Sequence, residues 1–150
     1  MQKVYMHTPI GNLEILADDI GICEINFKKD FLNLEVKNHH LKKCIKELED
    51  YFSGNLKEFS VNLHIRGSDF EMSVYNALLS LKYGTTATYS DIAELINHPK
   101  AQRAVGNANA KNKIPIIIPC HRIVRKNSIG GYSGGLEIKK FLLNLENKFS

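Results

Sequence analysis

Apolar and polar residues alternate along the first part of the chain, change to a helical spacing, and change again near Gly67. After the turn signal Pro9-Ile10-Gly11-Asn12, Leu13 and Ile15 alternate with polar neighbours, and Cys23, Ile25 and Phe27 share one face opposite Glu24 and Asn26. This pattern predicts a small antiparallel sheet over residues 2–27, with Cys23 in its core. Residues 28–38 are polar and irregular and read as a loop. From about Asn38 to Phe52, the residues Leu41, Cys44, Ile45, Leu48 and Phe52 form one apolar helical stripe, ended by Ser53-Gly54-Asn55. Val61, Leu63 and Ile65 then predict a further strand.

Beyond Gly67 the pattern is mainly helical. Ser68 followed by Glu71 has the form of a capping box, and Phe70, Val74, Leu78 and Leu81 carry a stripe that stops before Gly84. The chain therefore divides into an amino-terminal α+β domain, 1–66, and a second domain, 67–150. In the second, Thr88 and Ser90 are candidate caps for a short helix containing Ile92, Ala93, Leu95 and Ile96. Asn97-His98 breaks it, and Pro99 suits the first turn of a following helix. Ala101, Ala104, Val105 and Ala108 give that helix a packing face, so the pair predicts a helix-turn-helix. Its other face carries Arg103, Gly106, Asn107 and Ala110, with Lys100 and Lys111 at the margins. Small residues admit close approach and basic ones neutralise phosphates, which suits nucleic acid. An ordinary solvated face is the safer reading of this segment by itself, weakened by Gly106, which costs a helix interior about 1 kcal/mol unless close approach repays it.

The chemistry concentrates in Ile116-Ile117-Ile118-Pro119-Cys120-His121-Arg122-Ile123-Val124. The isoleucines between Pro115 and Pro119 predict a short buried strand or extended run that presents Cys120 at its end. A cysteine becomes a nucleophile where basic neighbours help form its thiolate. The alternative is a structural cysteine beside two solvated polar residues. Composition narrows the field: 150 residues, 43% hydrophobic and 24% charged, describe an ordinary globular protein. No apolar run has the length of a membrane span and no signal-peptide pattern is present, which predicts a cytoplasmic protein, or a nuclear one in a eukaryotic host. Three cysteines, Cys23, Cys44 and Cys120, suggest neither a disulfide framework nor a zinc site, and His7, His39, His40 and His64 show no ligand spacing. A net charge of +4 permits a polyanionic partner.

Taken together, Ile118-Pro119-Cys120-His121-Arg122-Ile123-Val124, Arg103-Ala104-Val105-Gly106-Asn107-Ala108, Gly131-Tyr132-Ser133-Gly134-Gly135-Leu136 and Gly84-Thr85-Thr86-Ala87-Thr88-Tyr89-Ser90-Asp91-Ile92-Ala93 resemble the O6-alkylguanine-DNA alkyltransferase family. The resemblance is strong over 68–146 and weaker in the amino-terminal third, where Thr8-Pro9-Ile10-Gly11 carries it. It implies an α+β amino-terminal domain, a mainly helical domain with a winged helix-turn-helix, and single-turnover transfer of an alkyl group from O6 of guanine, and from O4 of thymine, to Cys120. His121 would deprotonate the thiol through a water, Glu146 would hold His121, and Asn112 would brace the turn. Tyr89 would lie near the flipped nucleotide's phosphate and help protonate the leaving base. Tyr132, Ser133, Pro115 and Ile123 would line the base pocket. Arg103 would fill the gap in the base stack, with Lys100, Ala101, Gln102, Gly106 and Asn107 on the DNA side. The implied partner is double-stranded DNA bearing O6-alkylguanine, bound by a monomer without cofactor or membrane. Some members of the family hold zinc in the amino-terminal lobe, and no matching set of Cys and His is visible here.

Residue chemistry supports the catalytic set independently. Displacement at an alkyl carbon needs a thiolate and a stabilised leaving group, and the Cys–His–Glu order supplies nucleophile, base and orienting carboxylate. Three other readings stand beside it: a non-enzymatic binder of alkylated DNA, a transcription regulator, and a Cys–His hydrolase. Cys120 speaks against the first, the catalytic set against the second, and the basic helix against the third.

Overall fold

The computed structural model describes residues 1–150 and separates into two units, Met1–Arg66 and Gly67–Ser150. In the first unit, β1 (Gln2–Thr8), β2 (Gly11–Ala17) and β3 (Ile22–Lys28) form an antiparallel sheet in that order. The β1–β2 hairpin closes where Thr8 Oγ1 donates to the Gly11 carbonyl at 2.6 Å. Leu13 and Ile15 are fully buried, and α1 (His39–Phe52) packs on the sheet. Asn38 caps α1 by accepting from the amides of His40 and Leu41. Its buried line is Leu41, Cys44, Leu48 and Tyr51, while Ile45 and Phe52, expected in the stripe, are only half-buried.

Two expectations for this unit change. No strand forms over Val61–Ile65; there is a single bridge, Leu63 to Ile22. At that bridge the Ile22 amide donates to the Asn62 carbonyl and its carbonyl accepts from the His64 amide, while the start of the segment is held by the Glu47 carboxylate, which accepts from the amides of Ser60 and Val61 and from the Ser60 hydroxyl. Gly21 makes the approach feasible, since a Cβ there would lie 2.4 Å from the Asn62 carbonyl oxygen. Cys23 is half-buried rather than a core residue. A register irregularity at Leu16/Ala17 shifts the start of β3, so that Ile22 and Ile25 are the buried residues.

The second unit begins with α2 (Asp69–Leu79), whose cap Ser68 and Glu71 form the reciprocal capping box; Leu81 lies beyond the helix. A short strand β4 (Ala87–Thr88) leads into α3 (Tyr89–Leu95). Thr88 is the cap, paired reciprocally with Asp91, and Ser90 is inside the helix. The turn passes through Asn97 at φ 64°, and α4 is Gln102–Ala110. Pro99 therefore belongs to the turn, not to the first turn of α4. α4 buries Val105, Ala108 and Asn109, whereas Ala104, expected on the packing face, is exposed. Tyr75 of α2 donates to the Ala108 carbonyl at 3.2 Å and ties the two helices together. β5 (Ile123–Val124) pairs in parallel with β4, the turn Arg125–Ser128 follows it, and α5 (Leu136–Phe149) closes the chain. The architecture is an α+β unit followed by a mainly helical unit with a winged helix-turn-helix. No helix is long and apolar enough to cross a membrane.

Candidate active site

The isoleucine run before Cys120 does not extend as a strand; it folds into a turn clasped by Asn112. The Asn112 carboxamide accepts from the Ile114 amide at 3.0 Å and donates to the Ile118 carbonyl at 2.8 Å. Pro115 and Pro119 lack the amide donors a ladder would need, and Ile116 adopts φ 76°, an unfavourable conformation for a β-branched residue. Ile114, Pro115, Ile116, Ile117 and Ile118 are all buried, so packing over-determines the strained turn. Cys120, His121 and Arg122 follow as one 3-10 turn, all three buried.

Cys120 is 3% exposed. Burial pushes its thiol up to about 11, opposed by side-chain hydrogen bonding from Asn112 and Tyr132 and by the charge of Lys139. His121 is fully buried and its Nε2 lies 2.5 Å from Glu146 Oε2, while its Nδ1 makes no hydrogen bond to protein. Burial lowers the His121 pKa despite the carboxylate, and the charges of Arg122 and Lys139 add to that. The neutral ring then carries its proton on Nε2, facing Glu146, and leaves Nδ1 as the basic nitrogen. Glu146 is 1% exposed. Burial alone would raise its pKa, but hydrogen bonds from His121 and Arg122 hold it down at about 2. Arg122 supplies Nε at 2.8 Å and Nη2 at 3.1 Å to that carboxylate, and its Nη1 donates to the Leu81 carbonyl at 2.8 Å. The Gly84 amide donates to Glu146 as well, at 3.2 Å.

Arg122 and Glu146 are both buried. Arg122, for which a solvated position was the alternative reading, joins His121 in keeping Glu146 ionised in the interior. On α5 the fully covered residues are Lys139, Leu142 and Glu146, spaced i, i+3, i+7.

A groove of about 840 Å³ runs over the helix-turn-helix, lined by Thr88, Tyr89, Ser90, Asp91, Gln102, Arg103, Gly106, Arg125 and Lys126. It gathers Tyr89, Gln102, Arg103 and Gly106 from the expected DNA face and adds Arg125 and Lys126 from the turn after β5. A Cβ at Gly106 would meet the Tyr89 ring at 3.6 Å, an ordinary contact, so intramolecular packing does not demand this glycine. Lys100 and Ala101 line a separate shallow depression with Asn97, His98 and Pro99, and Asn107 is exposed. Of the expected pocket residues, Tyr132 is half-buried beside Cys120, Ser133 is exposed, Pro115 is buried, and Ile123 is a fully covered core residue.

In the amino-terminal unit, Asp18, Cys23 and His64 bring potential ligand atoms within 4.8 Å of one another, a cluster the sequence spacing concealed. Their atoms are already committed to each other and to the backbone. Asp18 Oδ1 accepts from the amides of Ile20 and Gly21, Oδ2 lies 2.5 Å from His64 Nδ1, and Arg66 stands 3.9 Å away. Three donors, one of them a carboxylate already engaged by His64 and Arg66, do not fit the closed four-ligand set of a structural zinc site.

The family comparison agrees with this geometry. The model of the 6-O-methylguanine DNA methyltransferase ribonuclease-like domain matches residues 1–65, and that of the DNA binding domain matches 69–148. A methylated-DNA–protein-cysteine methyltransferase of Methanosarcina acetivorans is 42% identical over 97% of this chain and 98% of its own. The constitutive one of Bacillus subtilis is 40% identical over 93% and 91%. Among solved structures, Mycobacterium tuberculosis OGT in complex with DNA superposes with a TM-score of 0.91 at 35% identity, covering 100% of this chain and 95% of the other. With matches spanning both units and the buried Cys–His–Glu set, the chain belongs to the O6-methylguanine DNA methyltransferase family.

Proposed function

We propose that this chain is a methylated-DNA–protein-cysteine methyltransferase that repairs O6-alkylguanine, and O4-alkylthymine, in double-stranded DNA by moving the alkyl group irreversibly onto Cys120. The observation that carries this is the His121 ring, held through Nε2 by Glu146 with Nδ1 unpartnered, in the same turn as Cys120. His121 takes the thiol proton through a water. The sulfur then attacks the alkyl carbon, the carbon–O6 bond breaks, and its electron pair passes to the guanine, which is protonated as it leaves. Tyr89, on the groove wall, is assigned to that protonation. Because the thiol rests mostly protonated, ionisation coupled to His121 is part of the reaction and not a standing state of the protein.

All of these residues fall within 67–150, to which we assign both DNA binding and transfer, with 1–66 as the amino-terminal domain. A base stacked in a duplex is out of reach of a buried sulfur, so the nucleotide must be turned out. The α4 face supports entry from the minor groove. Gly106 and Ala110 let its backbone approach, Arg103 occupies the vacated stack, and Lys100, Ala101, Gln102 and Asn107 lie along the path of the strand. Tyr132, Ser133, Pro115 and Ile123 are assigned to the base pocket. We take the protein to act as a cytoplasmic monomer without cofactor. The test is to mix it with duplex DNA containing O6-methylguanine and weigh the intact protein. One added methyl group that maps to Cys120 is expected, and a protein that binds this DNA without gaining mass refutes the assignment.

A further inference from the structure

The carboxylate that orients His121 is itself held from a distant part of the chain. Between α2 and β4, the segment 81–84 meets the Glu146–Arg122 pair at three points. The Leu81 carbonyl accepts from Arg122 Nη1 at 2.8 Å, the Tyr83 ring centroid lies 5.8 Å from the guanidinium carbon, and the Gly84 amide donates to Glu146 Oε1 at 3.2 Å. Polarity matches at each point: a carbonyl and a ring meet the cation, and an N–H meets the anion. Glu146 lies 62 residues further along the chain, so the contact is tertiary.

Gly84 is fitted to this place by two constraints. Its φ of 78° is one that side-chain-bearing residues rarely adopt, and a Cβ there would lie 2.6 Å from Ser150 Cβ and 3.5 Å from the Glu146 carbonyl oxygen. The backbone thus runs against the end of α5 with its amide on the carboxylate. Glu146 Oε2 meets His121 Nε2 and Arg122 Nη2, whereas Oε1 meets Arg122 Nε and the Gly84 amide. His121 and Arg122 share the 3-10 turn of Cys120 and would move with it, while Gly84 holds the carboxylate from outside that turn. A donor on Oε1 also tempers the charge with which the carboxylate pulls the Nε2 proton. The other charged or titratable groups facing the pair are Lys139 on α5 and Tyr83 in the same segment as Gly84.

Resting on the function proposed above, we infer that Gly84 is a positioning residue for alkyl transfer: its amide fixes the Glu146 carboxylate in the orientation that keeps the His121 proton on Nε2 and Nδ1 free to take the thiol proton. The test replaces Gly84 by glycolate, so that an ester oxygen stands where the N–H was. Alkylation of Cys120 by free O6-benzylguanine, which needs no flipping, is followed by intact mass from about pH 5 to about pH 9. A control ester replaces Thr85, whose amide donates to the Lys82 carbonyl at 3.1 Å. In the Gly84 ester, a more basic carboxylate holds the imidazolium more tightly. The acid limb should therefore move upward by about one pH unit, a loss of rate of about tenfold on its acid side that narrows toward the alkaline end. The Thr85 ester should keep the wild-type limb, whatever its melting temperature. A folded Gly84 ester that keeps the wild-type limb, or a Thr85 ester that moves it equally, overturns the inference.

A second measurement needs no change at Gly84. In wild type, the Gly84 amide proton resonance should shift with pH through the midpoint of the acid limb, and should lose that shift in His121→Gln. A Gly84 resonance indifferent to His121 also overturns the inference. Failure of the parent reading looks different: wild type would then react with neither the free base nor alkylated DNA at any pH.

Discussion

Replacing Glu146 by Gln should cost about 3 kcal/mol of stability at neutral pH, and the cost should vanish in acid. The substitution preserves shape and removes the charge that answers Arg122, which is 6% exposed. Two routes give the magnitude. Glu146 is held at about 2 instead of its ordinary 4.5; at roughly 1.4 kcal/mol per pH unit, this corresponds to about 3 kcal/mol. Breaking a buried ion pair by removing one partner typically costs about 3–5 kcal/mol. Because the folded value is depressed, the contribution is complete above about 4.5 and disappears as the pH falls toward about 2. The assay is urea unfolding of wild type and Glu146→Gln at about pH 7, 5 and 3. The gap should be full at the first two and shrink at the third. His121 adds a slope common in sign to both proteins, since a buried ring with lowered pKa binds fewer protons than the unfolded one and stability declines below about pH 6.5. A gap that stays constant down to the lowest pH would show that Glu146 acts by packing, and the account of its charge would be wrong.

Other expectations follow from the same geometry. Cys120→Ser should abolish transfer yet leave DNA binding largely intact, whereas Cys23→Ser and Cys44→Ala should transfer normally; intact mass after incubation with alkylated DNA distinguishes them. Arg103→Ala should impair repair of duplex DNA far more than reaction with free O6-benzylguanine, and equal losses on both would place Arg103 in the fold or pocket instead. Arg125→Ala and Lys126→Ala should each reduce the slope of log affinity against log salt by about 1 without altering the free-base reaction, as expected of phosphate contacts; unchanged slopes would remove that lip of the groove from the interface. With excess alkylated DNA, product should plateau at one equivalent per protein, and turnover beyond that in a purified system would refute irreversible transfer.

Periodicity made the helices legible and left the irregular segments obscure. The cap of α2 was visible because the Ser68–Glu71 pair acts locally. Val61–Ile65 looked like a strand because its alternation is real, yet it meets β3 only at Ile22 and its start is held by a carboxylate on α1, which no local pattern encodes. The Ile116–Ile118 run looked extended because it is apolar between two prolines, and the Asn112 clasp that bends it works through one side chain. Cys120, His121 and Glu146 were found through the resemblance more than through spacing. The burial of Arg122 and Lys139 was not legible because charged residues are normally read as solvated. Their burial follows from long-range pairing that becomes visible only once α5 is packed against the Cys120 turn.

The buried charges around Cys120 also explain how a thiol held near 11 can serve a repair reaction. A standing thiolate would react with passing oxidants and electrophiles, and a protein that reacts once cannot recover from such losses. Burial keeps the sulfur protonated and covered, while the pieces needed to ionise it are fixed in advance. Glu146, paired with Arg122, holds the His121 ring with Nδ1 as the basic nitrogen. Reactivity is thereby tied to a substrate that fills the pocket and completes the proton path. After transfer the new alkyl group must fit beside a packed turn in which Ile116 and Ile118 are at most 1% exposed. Overpacking there strains the native state. The alkylated protein should therefore unfold at a lower temperature than the free protein, through the same contacts that made it reactive.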